Sequence, residues 1–266
     1  MTEKQEKTLK VALITGASTG IGKELAIIHA ENGGDLVIVA RSLDKLELLK
    51  KELEQKYSGK VTVIAKDLSI PKAPKEVYEE VKLAGIEVNY LINNAGFGGI
   101  GKFHERDWEK DLAMINLNIV ALTALTRLFL PDFVKRDSGK ILNISSTASL
   151  MAGPLQAVYF ATKAFVTSFS NAIAEELHDT RITVTNLMPG PTETDFGAIS
   201  GMDKTSMFDK THSARGVAKD GFNAMIAGKL NVKTGLTFSQ KILTSMIPFV
   251  PKKIALKQVR QMQEEK

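Results

Sequence analysis

The chain has 266 residues, 44% apolar and 24% charged, a balance that matches a folded globular protein and excludes disordered and fibrous compositions. It contains no cysteine, which excludes disulfides, thiol nucleophiles, thiolate metal sites and iron–sulfur clusters together. Of the net charge of +5, the stretch 239–266 carries six basic side chains against two acids and residues 1–10 carry three against two, so the body of the chain is neutral and no nucleic-acid partner is expected.

Residues 1–9 are polar and charged, lack the apolar centre of a secretory signal, and read as a flexible lead-in to a cytoplasmic protein. Short β-branched runs then alternate with longer helical patterns. Strands are expected at Lys10 to Thr15, Asp35 to Ala40, Val61 to Lys66, Tyr90 to Asn93, Lys140 to Ser145 and Ile182 to Leu187. Between them, helices are expected at Ile21 to Asn32, Ser42 to Tyr57, Pro71 to Ala84, about Asp107 to Lys135 and about Ala157 to His178, with another from Ala214 to Ala227. Asn32-Gly33-Gly34 stops the first helix and Pro71 suits a first helical turn. The alternation predicts one α/β domain over residues 1–266, a doubly wound (Rossmann) parallel sheet of about seven strands with helices on both faces. After Leu187 the alternation fails, and residues 190–213 are expected to form a substrate loop. No run of about 18 uninterrupted apolar residues occurs, so no conventional transmembrane helix is expected. His29, His104, His178 and His212 are scattered without metal-ligand spacing, read as surface or helix-face residues, and no metal is expected.

Thr15-Gly16-Ala17-Ser18-Thr19-Gly20-Ile21-Gly22 follows the first strand and opens the first helix. Gly16, Gly20 and Gly22 permit a tight turn and close backbone approach to a pyrophosphate, which the free N–H groups of the helix start can hold; Ser18, Thr19 and Ile21 belong to the same cradle. The second strand ends Val39-Ala40-Arg41-Ser42. An acid at that position would hold a ribose 2′-hydroxyl and repel a 2′-phosphate, whereas Arg41 and Ser42 offer a guanidinium and a hydroxyl to the phosphate. The expected cofactor is therefore NADP(H) rather than NAD.

Glycines spaced three residues and then one apart resemble the short-chain dehydrogenase/reductase family, and the resemblance extends from about Lys10 to Phe196. Tyr159-Phe160-Ala161-Thr162-Lys163 resembles the family's Tyr-x-x-x-Lys, with Ser146 thirteen residues earlier and Asn118 on the long preceding helix. Ser145 and Ser146 are adjacent and Asn116 lies close to Asn118; the family's spacing to Tyr159 and Pro131 selects Ser146 and Asn118. The resemblance implies a catalytic set of Asn118, Ser146, Tyr159 and Lys163, with Tyr159 and Lys163 also contacting the cofactor. It further implies adenine contact at Asp67-Leu68, a sheet-stabilising and cofactor-facing element at Asn94-Ala95-Gly96 after Asn93, and nicotinamide contact at Pro189, Gly190, Thr192 and Thr194. Two long helices resemble those that pair subunits in the family, so a homodimer or homotetramer is expected.

Tyr159 and Lys163, four apart, share one helix face. The nearby ammonium and an oxidised nicotinamide are both expected to lower the phenol's pKa from near 10 and make the Tyr159–Lys163 pair a tunable proton donor. Ser146 would hydrogen-bond the reacting oxygen. Phe97, Leu150, Leu155, Phe196, Met207 and Phe208 read either as an apolar pocket for a small hydrophobic carbonyl or alcohol substrate, or as core. The leading function is NADPH-dependent reduction of a ketone, aldehyde or 3-oxoacyl compound; the alternative is a non-catalytic NADP-binding sensor or scaffold. The basic amphipathic tail at 239–266, with its apolar run Ile242 to Val250, reads as a lid or subunit contact in preference to a peripheral membrane contact.

Overall fold

The computed structural model describes residues 10–237, 240, 244 and 250–264, without the Met207 side chain. The expected lead-in at 1–9 and most of the apolar run at 242–250 lie outside the described residues. Seven parallel strands form one sheet: β1 (Val11–Thr15), β2 (Asp35–Ala40), β3 (Val61–Ala65), β4 (Val88–Asn93), β5 (Gly139–Ile144), β6 (Ile182–Pro189) and, after a short pair β7 (Thr192–Glu193) and β8 (His212–Ser213), β9 (Asn231–Thr234). Their spatial order is β3-β2-β1-β4-β5-β6-β9, so the chain reverses direction across the sheet between β1 and β4. A crevice opens at the carboxyl ends of the strands on each side of that reversal, where doubly wound sheets bind ligands. The expected Rossmann-type α/β architecture is the one observed.

The strand sequences explain the layering. Along β1, Ala12 and Ile14 join one core while Leu13 joins the other, because successive side chains point to opposite faces. The first core packs under α1 (Gly20–Glu31), α2 (Leu43–Lys56) and α8 (Ala214–Ile226); the second packs under α3 (Ala73–Leu83), α5 (Leu122–Lys135) and α6 (Ala157–Glu176). With both faces covered, β2 can be apolar from Leu36 to Ala40.

Several details differ from the sequence expectation. Pro74 rather than Pro71 sits in the first turn of α3, because a turn in which Ala73 N–H donates to the Ile70 carbonyl precedes the helix. The long helix is α4 (Trp108–Ile115) joined to α5 through a wide π turn at Asn116–Ala121. By length and composition Trp108–Lys135 could cross a membrane, contrary to the reading from uninterrupted runs, but its Leu125, Phe129 and Phe133 are buried in the second core. His29, on α1, is 2% exposed rather than at the surface; its Nε2–H donates to the Lys10 carbonyl at 2.9 Å, and its ring meets Tyr90 and Phe222 edge-on.

Four asparagines, Asn93, Asn143, Asn186 and Asn231, lie in register on four adjacent strands. Asn93 Nδ2 donates to Asn143 Oδ1 at 2.9 Å, and Asn186 Nδ2 donates to Asn231 Oδ1 at 2.9 Å. From this row, Asn143 Nδ2 reaches Ser170 Oγ at 2.9 Å and Asn186 Nδ2 reaches Thr167 Oγ1 at 3.2 Å, both on α6. Buried amides paired in this way fix the helix to the sheet with directional bonds as well as apolar contact.

Candidate active site

The crevice is a cleft of about 770 Å³ running from the β1–α1 turn to α6 and the segment after β6. It gathers nearly every residue expected from the sequence: Gly16, Ser18, Thr19, Gly20 and Ile21; Arg41 and Ser42 at the end of β2; Asp67 and Leu68; Asn94, Ala95 and Gly96; Ser146, Tyr159 and Lys163; and Pro189, Gly190, Thr192 and Thr194. Gly22 and Asn118 do not line it and stand behind its wall.

At the β1–α1 turn the backbone makes room that side chains would fill. Gly20 has φ +56°, and a Cβ there would stand 2.9 Å from Thr194 Cγ2; one at Gly22 would stand 2.3 Å from the Gly16 carbonyl oxygen. Asn94 Nδ2 donates to the Thr15 and Gly16 carbonyls at 2.9 and 3.2 Å, and Thr15 Oγ1 accepts from the Asn94 and Ala95 N–H groups at 3.0 Å each. These bonds lock the glycine turn to the end of β4. The open backbone, the N-terminus of α1 and the exposed Arg41 form a cradle that fits a dinucleotide phosphate chain.

At the other end, Tyr159 and Lys163 rise from the first turns of α6 and are 7% and 6% exposed. Ser146 stands beside the Tyr159 phenol and favours its ionised form, but burial outweighs that influence and pushes the phenol up to about 12. Lys163 is held down at about 8, again by burial; its Nζ donates to the Ile144 carbonyl at 2.9 Å and lies 5.9 Å from the centre of the Tyr159 ring. The sequence reading expected the ammonium and an oxidised nicotinamide together to lower the phenol's pKa; in the chain alone desolvation dominates and raises it.

The two ambiguous pairs are separated by their hydrogen bonds. Ser145 Oγ is committed to the Lys163 carbonyl and Thr167 Oγ1, both at 2.9 Å, which leaves Ser146 as the hydroxyl facing the phenol. Asn118 is buried, whereas Asn116 is partly exposed. Its Oδ1 accepts from Phe97 N–H at 3.2 Å, and its Nδ2 donates to the Phe97 carbonyl at 3.0 Å and to Thr162 Oγ1 at 3.1 Å. Thr162 Oγ1 in turn donates to the Tyr159 carbonyl at 2.7 Å, so Asn118 grips the turn of α6 that presents the phenol. Sequence reasoning missed Thr162, although its place three residues after Tyr159 was a usable signal.

Phe97, Phe196 and Phe208 line the cleft as expected, and the Phe196 ring lies 5.5 Å from that of Tyr159. Leu150 and Leu155 do not. Leu150 borders a shallower hollow on the far side of the following loop, and Leu155 occupies a left-handed turn. The segment after β6, expected as a loop, folds into α7 (Phe196–Ser200) and two tight turns that carry Met202 and Phe208. A last helix, α9 (Lys252–Gln263), buries Val259 in the cluster that contains Tyr159, Phe160 and Met202, and the Ser206 hydroxyl donates to the Met262 carbonyl at 3.2 Å. The described part of the tail thus backs the wall of the cleft.

Comparisons with known proteins agree with this arrangement. The family model for short chain dehydrogenases matches residues 10–204. Human very-long-chain 3-oxoacyl-CoA reductase is 35% identical over 188 residues, covering 67% of this chain; the match spans only 58% of that protein. The NADP-dependent 3-hydroxy acid dehydrogenase of Schizosaccharomyces pombe is 35% identical over 192 residues, 71% of this chain and 74% of that one. A short-chain dehydrogenase from Sphingobium yanoikuyae, solved in complex with NADPH, superposes with a TM-score of 0.82 at 28% identity, covering 96% of this chain and 98% of the other.

Proposed function

The chain belongs to the short chain dehydrogenase family, a family of oxidoreductases, and from that premise we propose that it reduces a ketone, aldehyde or 3-oxoacyl carbonyl with NADPH, reversibly, using Tyr159 as the proton donor. The observation that carries this reading is the buried Tyr159, set beside Ser146 and Lys163 in the same cleft as the glycine cradle.

When bound, NADPH would supply the hydride that reaches the carbonyl carbon. Tyr159, raised to about 12, keeps its proton at neutral pH and gives it to the carbonyl oxygen. The Ser146 hydroxyl, which lines the cleft beside the phenol, donates to the same oxygen and stabilises the charge growing there. Lys163 remains an ammonium below about pH 8 and favours the phenolate that the transfer leaves behind. Asn118 acts through Phe97 and Thr162 to hold both walls in place. Arg41 and Ser42, exposed at the end of β2 where Ala40 replaces an acid, would hold a 2′-phosphate. The activities for which the human and yeast relatives are named and the NADPH of the Sphingobium enzyme support the carbonyl class and the cofactor.

Oxidation of NADPH and NADH over a panel of ketones and 3-oxoacyl thioesters tests the reading. Turnover with a marked NADPH preference is expected, with that preference lost in Arg41→Ala and turnover lost in Tyr159→Phe. Full activity in Tyr159→Phe would refute the mechanism, and cofactor preference unchanged in Arg41→Ala would remove the phosphate assignment. We also infer self-association through the long helices, where Trp108, Val120 and Phe165 remain more than a third exposed; light scattering should give the mass of a dimer or tetramer.

A further inference from the structure

One wall of the cleft is a strap between β4 and α4 that has little means of holding a shape by itself. Residues 96–101 read Gly-Phe-Gly-Gly-Ile-Gly, four glycines in six, and form neither helix nor strand. That composition leaves the backbone wide freedom, so the strap must be held from outside. At one end Asn118 bonds both polar groups of the Phe97 backbone, and at the other the Leu155 carbonyl accepts from Gly101 N–H at 2.8 Å. Between these ends, Arg106 Nη1 donates to the Ile100 carbonyl at 2.7 Å.

Arg106 is itself braced on Asp111 of α4. Its Nε donates to Asp111 Oδ1 and Oδ2 at 2.9 and 3.2 Å, its Nη2 donates to Oδ1, and the two side chains are 14% and 2% exposed. Desolvation offsets most of the attraction in a buried ion pair, so stability alone does not account for it, and what matters is where it aims the guanidinium. The guanidinium lies against the strap: a Cβ at Gly99 would stand 2.3 Å from Nη2 and 2.9 Å from Cζ. Lys110 and Asp195 also line the cleft, but both are exposed and neither grips the strap.

Elsewhere the strap faces the reacting group. A Cβ at Gly98 would come within 2.9 Å of Phe196 Cζ, 3.1 Å of Met202 Cε and 3.3 Å of Tyr159 Cδ2, and one at Gly201 within 3.2 Å of Ile100 Cγ2. Beneath the strap, the side of the phenol therefore has room for a slim group only, and the height of the strap depends on the grip at Ile100.

We propose that Arg106, braced on Asp111, is a positioning residue that holds the glycine strap down beside Tyr159 and thereby limits the reacting carbonyl to one with a slim substituent. The proposal rests on the reductase reading and deepens it by naming what sets the permitted size of the substrate.

Two isomers, 2-octanone and 4-octanone, isolate the effect, since they differ in whether the smaller group on the carbonyl is methyl or propyl. With the full chain and NADPH, kcat/KM is expected to favour 2-octanone by about 10- to 100-fold, the range for methylenes that a pocket does not accommodate. In the double variant Arg106→Met with Asp111→Leu, which removes both charges and strands neither, the ratio should fall toward one through a lower KM for 4-octanone. Arg106→Lys keeps Asp111 paired but replaces the planar fork with a point charge, and should relax the ratio partway. A general loosening of the fold would instead lower kcat for both ketones alike, depress the urea midpoint and leave the ratio in place. A wild-type ratio near or below one, or a ratio unchanged in every variant that folds, overturns the proposal; an unchanged ratio with a lowered midpoint assigns the Arg106–Asp111 pair to structure instead. Absence of turnover across the wider panel of ketones and thioesters fails the reductase reading on its own. If neither octanone is turned over, calorimetric binding of the two to wild type and variants decides the residue: a preference for 2-octanone that the variants lose supports the proposal, and a preference that is absent or common to all of them overturns it.

Discussion

Replacing Lys163 with methionine is expected to abolish turnover and, at neutral pH, to make the protein harder to unfold. Burial holds the Lys163 ammonium at about 8 against its ordinary 10.5. At 1.36 kcal/mol per pH unit, keeping that charge in the fold below pH 8 costs about 3 kcal/mol relative to the unfolded chain. Methionine fills a similar volume without charge but leaves the Ile144 carbonyl without its 2.9 Å bond, a loss of about 1 kcal/mol. The variant should therefore be more stable by about 2 kcal/mol at pH 7. Between about pH 8 and 10.5 the unfolded wild type still binds the lysine proton while the native protein has released it, so wild-type stability rises with pH across that window. Methionine has no such proton, and the difference should shrink with rising pH and change sign only near pH 10. Urea unfolding of both cofactor-free proteins at pH 6.5, 8 and 9.5 measures it. Tyr159 acts in the opposite sense, since its native proton is held to about 12, but its contribution is confined to the range above pH 10. Turnover should drop by at least about 100-fold, because the phenolate left by proton transfer loses its neighbouring charge. A variant less stable than wild type at pH 7, or a difference independent of pH, would refute the reasoning.

Gly20→Ala forces a side chain onto a backbone with φ +56° and against Thr194, and should cost about 1–2 kcal/mol in urea melts while weakening NADPH binding, followed by fluorescence titration. Asn143→Leu keeps the volume but strips partners from Asn93 Nδ2 and Ser170 Oγ; a loss of about 2–4 kcal/mol is expected by denaturation, and a smaller one would mean that water replaces the amide. Ser146→Ala should lower kcat by about 100- to 1,000-fold with little change in NADPH affinity, measured by steady-state kinetics.

The parts of this protein that were legible in the sequence are those governed by short spacing. The apolar run of β2 and the glycines before α1 follow from local rules, and so does the four-residue separation of Tyr159 from Lys163. What escaped depends on distant segments meeting. The polar strand β9 is short and its place beside β6 comes from the sheet edge, not from its own pattern. His29 looked like a surface residue until Tyr90 and Phe222 closed around it. The rise of the Tyr159 pKa in the chain alone escaped for the same reason: charge proximity can be inferred from spacing, whereas desolvation depends on Phe196, Met202 and the tail helix packing nearby.

The asparagine row explains why the two ends of the cleft stay in fixed relation. The phosphate cradle belongs to β1 and the acid–base pair to α6, on opposite sides of the sheet's reversal, so their separation is set by everything between them. Asn94 ties the cradle to β4, and the neighbouring Asn93 ties β4 to Asn143 on β5. Asn143 and Asn186 pass the connection to Ser170 and Thr167 on α6, while Ser145 and Thr162 fasten the turns that carry Lys163 and Tyr159. Each link is a directional bond between buried or partly buried groups, so a shift at any one of them would weaken a donor–acceptor pair. Apolar packing alone tolerates sliding of the helix by fractions of a turn; this polar chain does not, and proton transfer from a positioned phenol requires that it should not.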